Sequence, residues 1–366
     1  MTDRDGCIAL NLVQGIGHAR FKLLSDWFGT PGQVFNHAVE EYEKLPTIGQ
    51  QLSARLAEFD PDTAVAAELE LAERGEVDII TLFDSEYPAV LRELHDPPLC
   101  LYIRGKLPEF PEKAVAIVGT RRMSAYGARM SEAIAADAAH YGYTVVSGLA
   151  MGVDTVAHSA VVKAGGTTVA VLGAGLAHVH PKENIPLARQ IVEHGGAVIS
   201  EFPIGMPPSK QNFPRRNRIV AGLCKATIVT EAGIGSGAMI TARLALENNR
   251  DLFALPGNVD NPAAAGCNAL IKEGATLIER FSDVAAALGT GVSIPVEKRD
   301  LSLPSDADMD ELSKKIWHLL DNGETGFDEI QTALDAETGE LLSALMKLEL
   351  KMFIELTPEQ RYRKMV

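Results

Sequence analysis

Between residues 115 and 257 one hydropathy pattern recurs: a short, nearly continuous apolar run closes on a glycine or an acidic residue, and an amphipathic stretch separates it from the next. The runs are V-A-I-V-G-T (115–120), T-V-V-S-G (144–148), T-V-A-V-L-G (168–173), A-V-I-S-E (197–201), A-T-I-V-T-E (226–231) and L-F-A-L-P-G (252–257). They are rich in β-branched residues and do not alternate with polar ones, which predicts strands buried on both faces. The helical spacers predict right-handed βαβ crossovers. The expected centre of the chain is therefore an α/β fold, an extended Rossmann-like, doubly wound parallel sheet. Ligands of such sheets bind beyond the carboxyl ends of the strands, where these glycines fall.

Upstream, a short motif occurs twice, as L-V-Q-G-I-G-H-A-R-F-K-L-L (12–24) and L-P-T-I-G-Q-Q-L-S-A-R-L (45–56). In each copy a glycine turn leads into apolar residues at i, i+3 and i+4 spacing, which predicts paired small helices. The pattern resembles the helix-hairpin-helix motif, whose turn amides hold a DNA phosphate, and equally fits a small helical packing or protein-contact module. Glu40, Glu41 and Glu43 between the copies favour the second reading. Residues 1–75 are assigned to this helical (helix-hairpin-helix or SAM-like) domain and residues 76–288 to the Rossmann-like domain. A linker follows at 289–308, where prolines and charges lack periodicity. Residues 309–366 show three helical patterns, then M-F-I-E-L and R-Y-R-K, and are expected to form a winged-helix domain.

Length and composition fit two or three globular domains: 366 residues, 46% hydrophobic and 23% charged. No apolar run is long enough to span a bilayer, and the start M-T-D-R-D lacks signal-peptide order, so a cytoplasmic protein without membrane contact is expected. Cys7, Cys100, Cys224 and Cys267 are scattered without ligand spacing, so neither a metal site nor a disulfide framework is expected. The formal net charge is -15, but it is unevenly spread. Residues 1–113 carry 10 Lys/Arg against 20 Asp/Glu (-10), 114–285 carry 15 against 13 (+2), and 286–366 carry 9 against 16 (-7). The acidity belongs to the flanks. Charges beyond about 8 to 10 Å are largely screened at physiological salt, so the middle region is free to attract a polyanion.

Within that region K-Q-N-F-P-R-R-N-R (210–218) gathers Lys210, Arg215, Arg216 and Arg218 around Phe213. Cations that track a phosphate backbone, with a ring for a base to stack on, are the minimal equipment for holding a single strand. Three strand ends offer backbone that can hold an anion: G-T-R at Gly119, Thr120 and Arg121, which also fits a tight turn with solvated arginines, G-A-G at 173–175, which reads first as simple turn geometry, and G-S-G at Gly235, Ser236 and Gly237 before a helix. One mononucleotide does not need so many phosphate sites, whereas a polymer does. The dinucleotide fingerprint G-x-G-x-x-G and its ribose-binding acid are missing, so no nicotinamide cofactor is expected. Asp154 and His158 share a helix face at i, i+4 but lack a nucleophile or third ligand, and read as a helix-start aspartate and a packed histidine.

Together these segments resemble the DprA/Smf family of DNA-processing proteins of natural transformation. The resemblance runs in order through G-T-R, S-G-x-A-x-G-V-D-x-x-A-H, V-L-G-x-G, F-P-x-R-N-R-I-V-x-G-L, S-G-A-M-I-T-A, P-G and G-C-N-A-L-I-K-E-G-A, over about 115–277. It implies a non-catalytic homodimer, without cofactor, that binds single-stranded DNA and loads the RecA recombinase onto it. On the matching positions, Gly119, Thr120, Arg121, Lys210, Arg216 and Arg218 belong to the strand path, Phe213 meets a base, and Asn217 orders the loop. Gly235, Ser236 and Gly237 present amides, and Ile271 and Leu277 are candidate dimer contacts. Two departures stand out. Where the family commonly reads G-L-D-x-x-Y-P, Ala177 replaces the Asp and His180 the Tyr; where it reads S-G-S, Ala238 ends the triplet.

The candidate recognition helix of the C-terminal segment holds Lys347 against Glu337, Glu340 and Glu349, which points to protein contact rather than a DNA groove. Two other functions were weighed. A phosphoribohydrolase-like, nucleotide-processing enzyme needs a glutamate where this chain has Met239, a side chain that neither accepts a proton nor stabilises a cationic centre. A protein-interaction scaffold leaves the cationic stretch unexplained.

Overall fold

The computed structural model describes residues 1–108, 113–290, 309–350, 353–357 and 361–364. The chain divides into two compact units, Met1–Val292 and Ser293–Val366. Apart from its first two residues, the expected linker at 289–308 lies outside the described residues.

The first unit is built on one nine-stranded sheet. Two strands precede the sequence-predicted set, β1 (Asp78–Thr81) and β2 (Cys100–Gly105). The six apolar runs form β3 (Ala114–Val118), β4 (Thr144–Ser147), β5 (Thr168–Val171), β6 (Ala197–Ser200), β7 (Ala226–Val229) and β8 (Asp251–Ala254). A two-residue β9 (Thr276–Leu277) closes the far edge, and the spatial order is β1-β2-β6-β5-β4-β3-β7-β8-β9. Pairing is parallel from β6 to β9, with Ala116 opposite Val146 on one side of β3 and Ile117 opposite Ile228 on the other. The sheet is not purely parallel, however: β1 and β2 add an antiparallel edge against β6. D-I-I-T and C-L-Y-I-R-G are separated only by the four-residue helix Ala89–Arg92, too short for a parallel crossover, so the βαβ pattern that exposes the other strands has no counterpart there.

The chain steps from β3 outwards through β4 and β5 to β6, then returns to place β7 on the opposite side of β3. That reversal is the switch point of a doubly wound sheet, where diverging loops leave a crevice. Alternate side chains of the same strand serve opposite layers. Ala114, Ala116 and Val118 pack with Val220 of the helix Asn212–Gly222 and Met239 of Gly237–Glu247. Val115 and Ile117 pack with Ile134 of Ala125–His140 and Ala157 of Val153–Lys163.

The glycine turns of the N-terminal echo start helices as expected, with Gly17 before His18–Phe28 and Gly49 before Gln50–Glu58. The two turns lie side by side, and Arg20 and Arg55 donate to the carbonyls of Gly15 (2.7 Å) and Gln14 (3.0 Å). Leu24 and Leu56 from these helices, and Ile8 of the preceding helix Asp3–Leu12, share one apolar core with Tyr102 of β2, Leu172 and Ile191, so the helical segment and the β5–β6–β2 side of the sheet pack as one body.

The second unit contains the helices Glu311–Leu319, Phe327–Leu334 and Thr338–Leu350 and the strands β10 (Thr325–Gly326), β11 (Ile354–Leu356) and β12 (Arg361–Lys364), in order β10-β12-β11. Its basic end is matched by acids: Arg361 pairs with Glu329 (2.7 Å), Arg363 with Glu324 (3.4 Å) and Lys364 with Asp321.

Candidate functional site

An open cleft of about 640 Å3 lies at the switch point, beyond the carboxyl ends of β3 and β4. One wall carries Gly119, Thr120 and Arg121, the opposite wall carries Ser236 and Gly237, and the helix Asn212–Gly222 closes the third side. K-Q-N-F-P-R-R-N-R is therefore largely helical rather than a loop. Helical spacing divides its residues between two surfaces. Phe213, Arg216, Asn217 and Val220, at i, i+3, i+4 and i+7, all face the cleft, with Lys210 at its mouth.

Arg215 and Arg218 fall on another face of that helix. Arg218 is buried, and its guanidinium donates to Glu201 (2.7 Å) and Asp96 (3.0 Å), while Arg215 reaches the same Glu201 (3.1 Å). Burial opposes the charge on Arg218, but the Glu201 and Asp96 carboxylates outweigh it and raise the pKa. This arginine ties the helix to β6 and to the loop before β2, and does not line the cleft. Gly235 lies just before the lining residues of its loop.

Arg216 is also buried, yet at the cleft floor. It donates to the carbonyl of Gly148 (2.6 Å) and to that of Val171. Asp154 accepts from the amides of Gly148 (3.1 Å) and Ala150 (3.3 Å), so Gly148, the first residue after β4, is held through both its backbone groups. A Cβ at position 148 would stand 2.5 Å from the Arg216 guanidinium. Glycine is needed there for close approach. The same reasoning applies at Gly173, where a Cβ would lie 2.8 Å from the Phe213 ring. Burial lowers the pKa of Arg216 to about 10, with Asp154 opposing and Arg121 assisting the shift, and burial raises that of Asp154. His158 is fully enclosed. Its Nδ1–H donates to Thr168 Oγ1 (2.7 Å), because that hydroxyl itself donates to the Val145 carbonyl (2.7 Å). Burial lowers its pKa to about 3. The pair expected from i, i+4 spacing thus comprises a loop-holding carboxylate and a packed neutral imidazole.

The exposed cations differ from these anchored ones. Arg121, Arg122 and Lys210 are exposed at the rim and form no ion pair among the described residues. The Arg121 guanidinium sits 5.6 Å from the Phe213 ring centroid, and the His180 ring lies 5.9 Å from it on the loop after β5. Ser236 precedes the helix Gly237–Glu247, and its buried hydroxyl has no hydrogen-bond partner among the described residues. Together with the orphan amides of that helix start, it offers donors to an anion. Arg122 was missed by sequence reading, although its place beside Arg121 in G-T-R-R was a usable signal.

Ile271 is half-buried against the sheet core, whereas Leu277 on edge strand β9 is 47% exposed, with Ile234 and Val259 also exposed. Met239, at the position where a phosphoribohydrolase-like enzyme needs a glutamate, is buried among core residues rather than in the cleft. Cys7, Cys100, Cys224 and Cys267 are buried free thiols. Among the described residues there is no cluster of metal-ligating side chains and no helix long and apolar enough to cross a membrane.

The family model described as DNA recombination-mediator protein A matches residues 78–289. Protein Smf of Escherichia coli is 39% identical over 279 residues, covering 75% of this chain and 74% of that protein. Protein Smf of Synechocystis is 32% identical over 98% of both chains. The crystal structure of DNA processing protein A from Streptococcus pneumoniae aligns with 78% of this chain and 98% of its own, at TM-score 0.65 and 32% identity. That of Helicobacter pylori, described for its single-stranded DNA binding mode, aligns with 58% and 95% at TM-score 0.53 and 29% identity. On a sheet whose switch point and strand-end loops match those expectations, this chain belongs to the DprA/Smf family of DNA-processing proteins.

Proposed function

We propose that the switch-point cleft binds single-stranded DNA without regard to sequence, that the protein does so as a homodimer, and that it delivers the strand to a RecA-type recombinase during natural transformation. The observation that carries the reading is the juxtaposition of a half-buried aromatic ring that faces the cleft, Phe213, with the rim cations Arg121, Arg122 and Lys210, which form no ion pair among the described residues. The ring accepts a base face while the cations and the start of the helix Gly237–Glu247 take phosphates. The single-strand binding described for the Helicobacter pylori relative supports the same ligand. No step of bond making is assigned to any residue.

Titration of oligothymidylate at several salt concentrations tests the binding. For single strands log K falls with log salt at about 0.7 per phosphate contact, so three cations give a slope of about -2. Arg121→Ala and Lys210→Ala each reduce that slope by about 0.7 and weaken binding to every sequence. An unaltered affinity in the double substitution would sink the assignment. Delivery is tested separately, by the rate of RecA-type filament nucleation on single strands with and without the protein.

A further inference from the structure

A second cavity, of about 590 Å3, opens between β6, the helix Ile185–Glu193 and the loop 176–182. Its volume falls within the range of small-ligand sites. Leu176, Val179, Ile185, Val192 and Val198 give it an apolar floor. Arg104, Lys182, Arg189, His178 and His180 stand around that floor against a single acid, Glu193. Arg104 donates to the Gly75 carbonyl (3.1 Å), whereas Lys182 and Arg189 are exposed and have no ion-pair partner among the described residues. The loop that departs from the family pattern forms one wall: Ala177 leaves out a carboxylate, and His180 presents a ring.

The cavity combines a surface for a flat apolar body with free cations, the same pair of features as the switch-point cleft. The two are joined by a run of neighbouring groups, with the His180 and Phe213 rings tilted at 49°. Phe213 has the Arg121 guanidinium 5.6 Å from its centroid and the His180 ring 5.9 Å away, and His180 is itself part of the cavity wall. We infer that this cavity is a second nucleotide subsite for the same single strand, which passes from Phe213 over His180 so that a further base rests on Val179 and Val192 while Lys182 and Arg189 hold its phosphates. The inference rests on the proposed function of the cleft.

Oligothymidylates of increasing length separate the two sites. Lys182→Ala with Arg189→Ala leaves the shortest oligonucleotide that fills the cleft bound as before, weakens longer ones about tenfold, and reduces their salt slope by about 1.4, two phosphate contacts. Val192→Trp fills the floor without changing charge, and weakens long oligonucleotides with an unchanged slope. Thermal midpoints check that all variants fold. If long oligonucleotides bind these variants as the parent protein does, while Arg121→Ala with Lys210→Ala still loses affinity, the subsite is overturned and the cleft stands. Loss in the cavity variants alone overturns the cleft reading and, with it, a strand path that begins at Phe213. No loss in either set overturns both.

Discussion

Arg215 and Arg216 are neighbours in the chain and act on different surfaces. The first reaches Glu201 beneath the helix; the second holds the Gly148 and Val171 carbonyls under the cleft. Substitutions should therefore sort by role. Arg216→Met removes charged donors from buried carbonyls and should cost about 3 kcal/mol of stability. Arg218→Ala leaves Glu201 partly unpaired and should cost a similar amount, about 3 kcal/mol, measured as a lowered denaturant midpoint with single-strand affinity retained in the folded fraction. Phe213→Ala should behave oppositely. Its stability changes little, binding weakens by about 1 to 3 kcal/mol, and the salt slope is unaltered because stacking releases no counterions. The types of these residues were legible in the sequence. Their sorting was not, because a linear cluster carries no record of which helix face each side chain will occupy.

At the scale of elements, each cleft loop is held by a group from a neighbouring element. Asp154 fixes the loop after β4, Glu231 after β7 accepts from the amide (2.8 Å) and hydroxyl (2.6 Å) of Ser124, and Gly173 after β5 seats Phe213. The helix Val153–Lys163 carries a pH-dependent part of this support. His158 is buried neutral with its pKa lowered to about 3, whereas the unfolded chain titrates near 6.5. Between these values the unfolded state binds the extra proton, so this contribution is complete above about 6.5 and is lost progressively as pH falls towards 3. The unfolding free energy should lose up to about 1.4 kcal/mol per pH unit there, and His158→Gln should flatten the profile in chemical denaturation from pH 7 to 4. The helical periods and strand runs predicted these elements well. The antiparallel β1 and β2 escaped because antiparallel pairing needs no long helical crossover, so only the four-residue helix Ala89–Arg92 lies between them and the amphipathic spacer that marks β3 to β8 is missing.

For the whole molecule, the division of charge matters more than the net value of -15. The cations of the C-terminal unit at Arg361, Arg363 and Lys364 are answered by Glu329, Glu324 and Asp321. Those of the cleft rim form no such pairs among the described residues, so attraction for a polyanion concentrates at the switch point despite the acidic flanks. The opposite edge of the sheet offers a different surface. β9 ends the sheet order among the described residues, with Leu277 exposed on it, the kind of edge that a second copy can cover. Leu277→Glu should convert the proposed dimer to monomer in sedimentation at unchanged thermal stability; an unaltered mass would place the dimer contact elsewhere.

The sequence by itself determined the six central strands, their helical crossovers, the glycine-rich strand ends and the family, because buried β-branched runs and close-approach glycines are local requirements written at local positions. The tertiary structure decided which cations meet a ligand. Lys210 and Arg121 lie far apart in sequence and line one cleft only because the winding of the sheet reverses between β3 and β7, while Arg218, eight residues from Lys210, is turned inward by Glu201 and Asp96. The route from Phe213 over His180 into a second cavity is likewise a property of packing, since it joins side chains from the loop after β5 and the helix Asn212–Gly222 that no spacing in the chain relates.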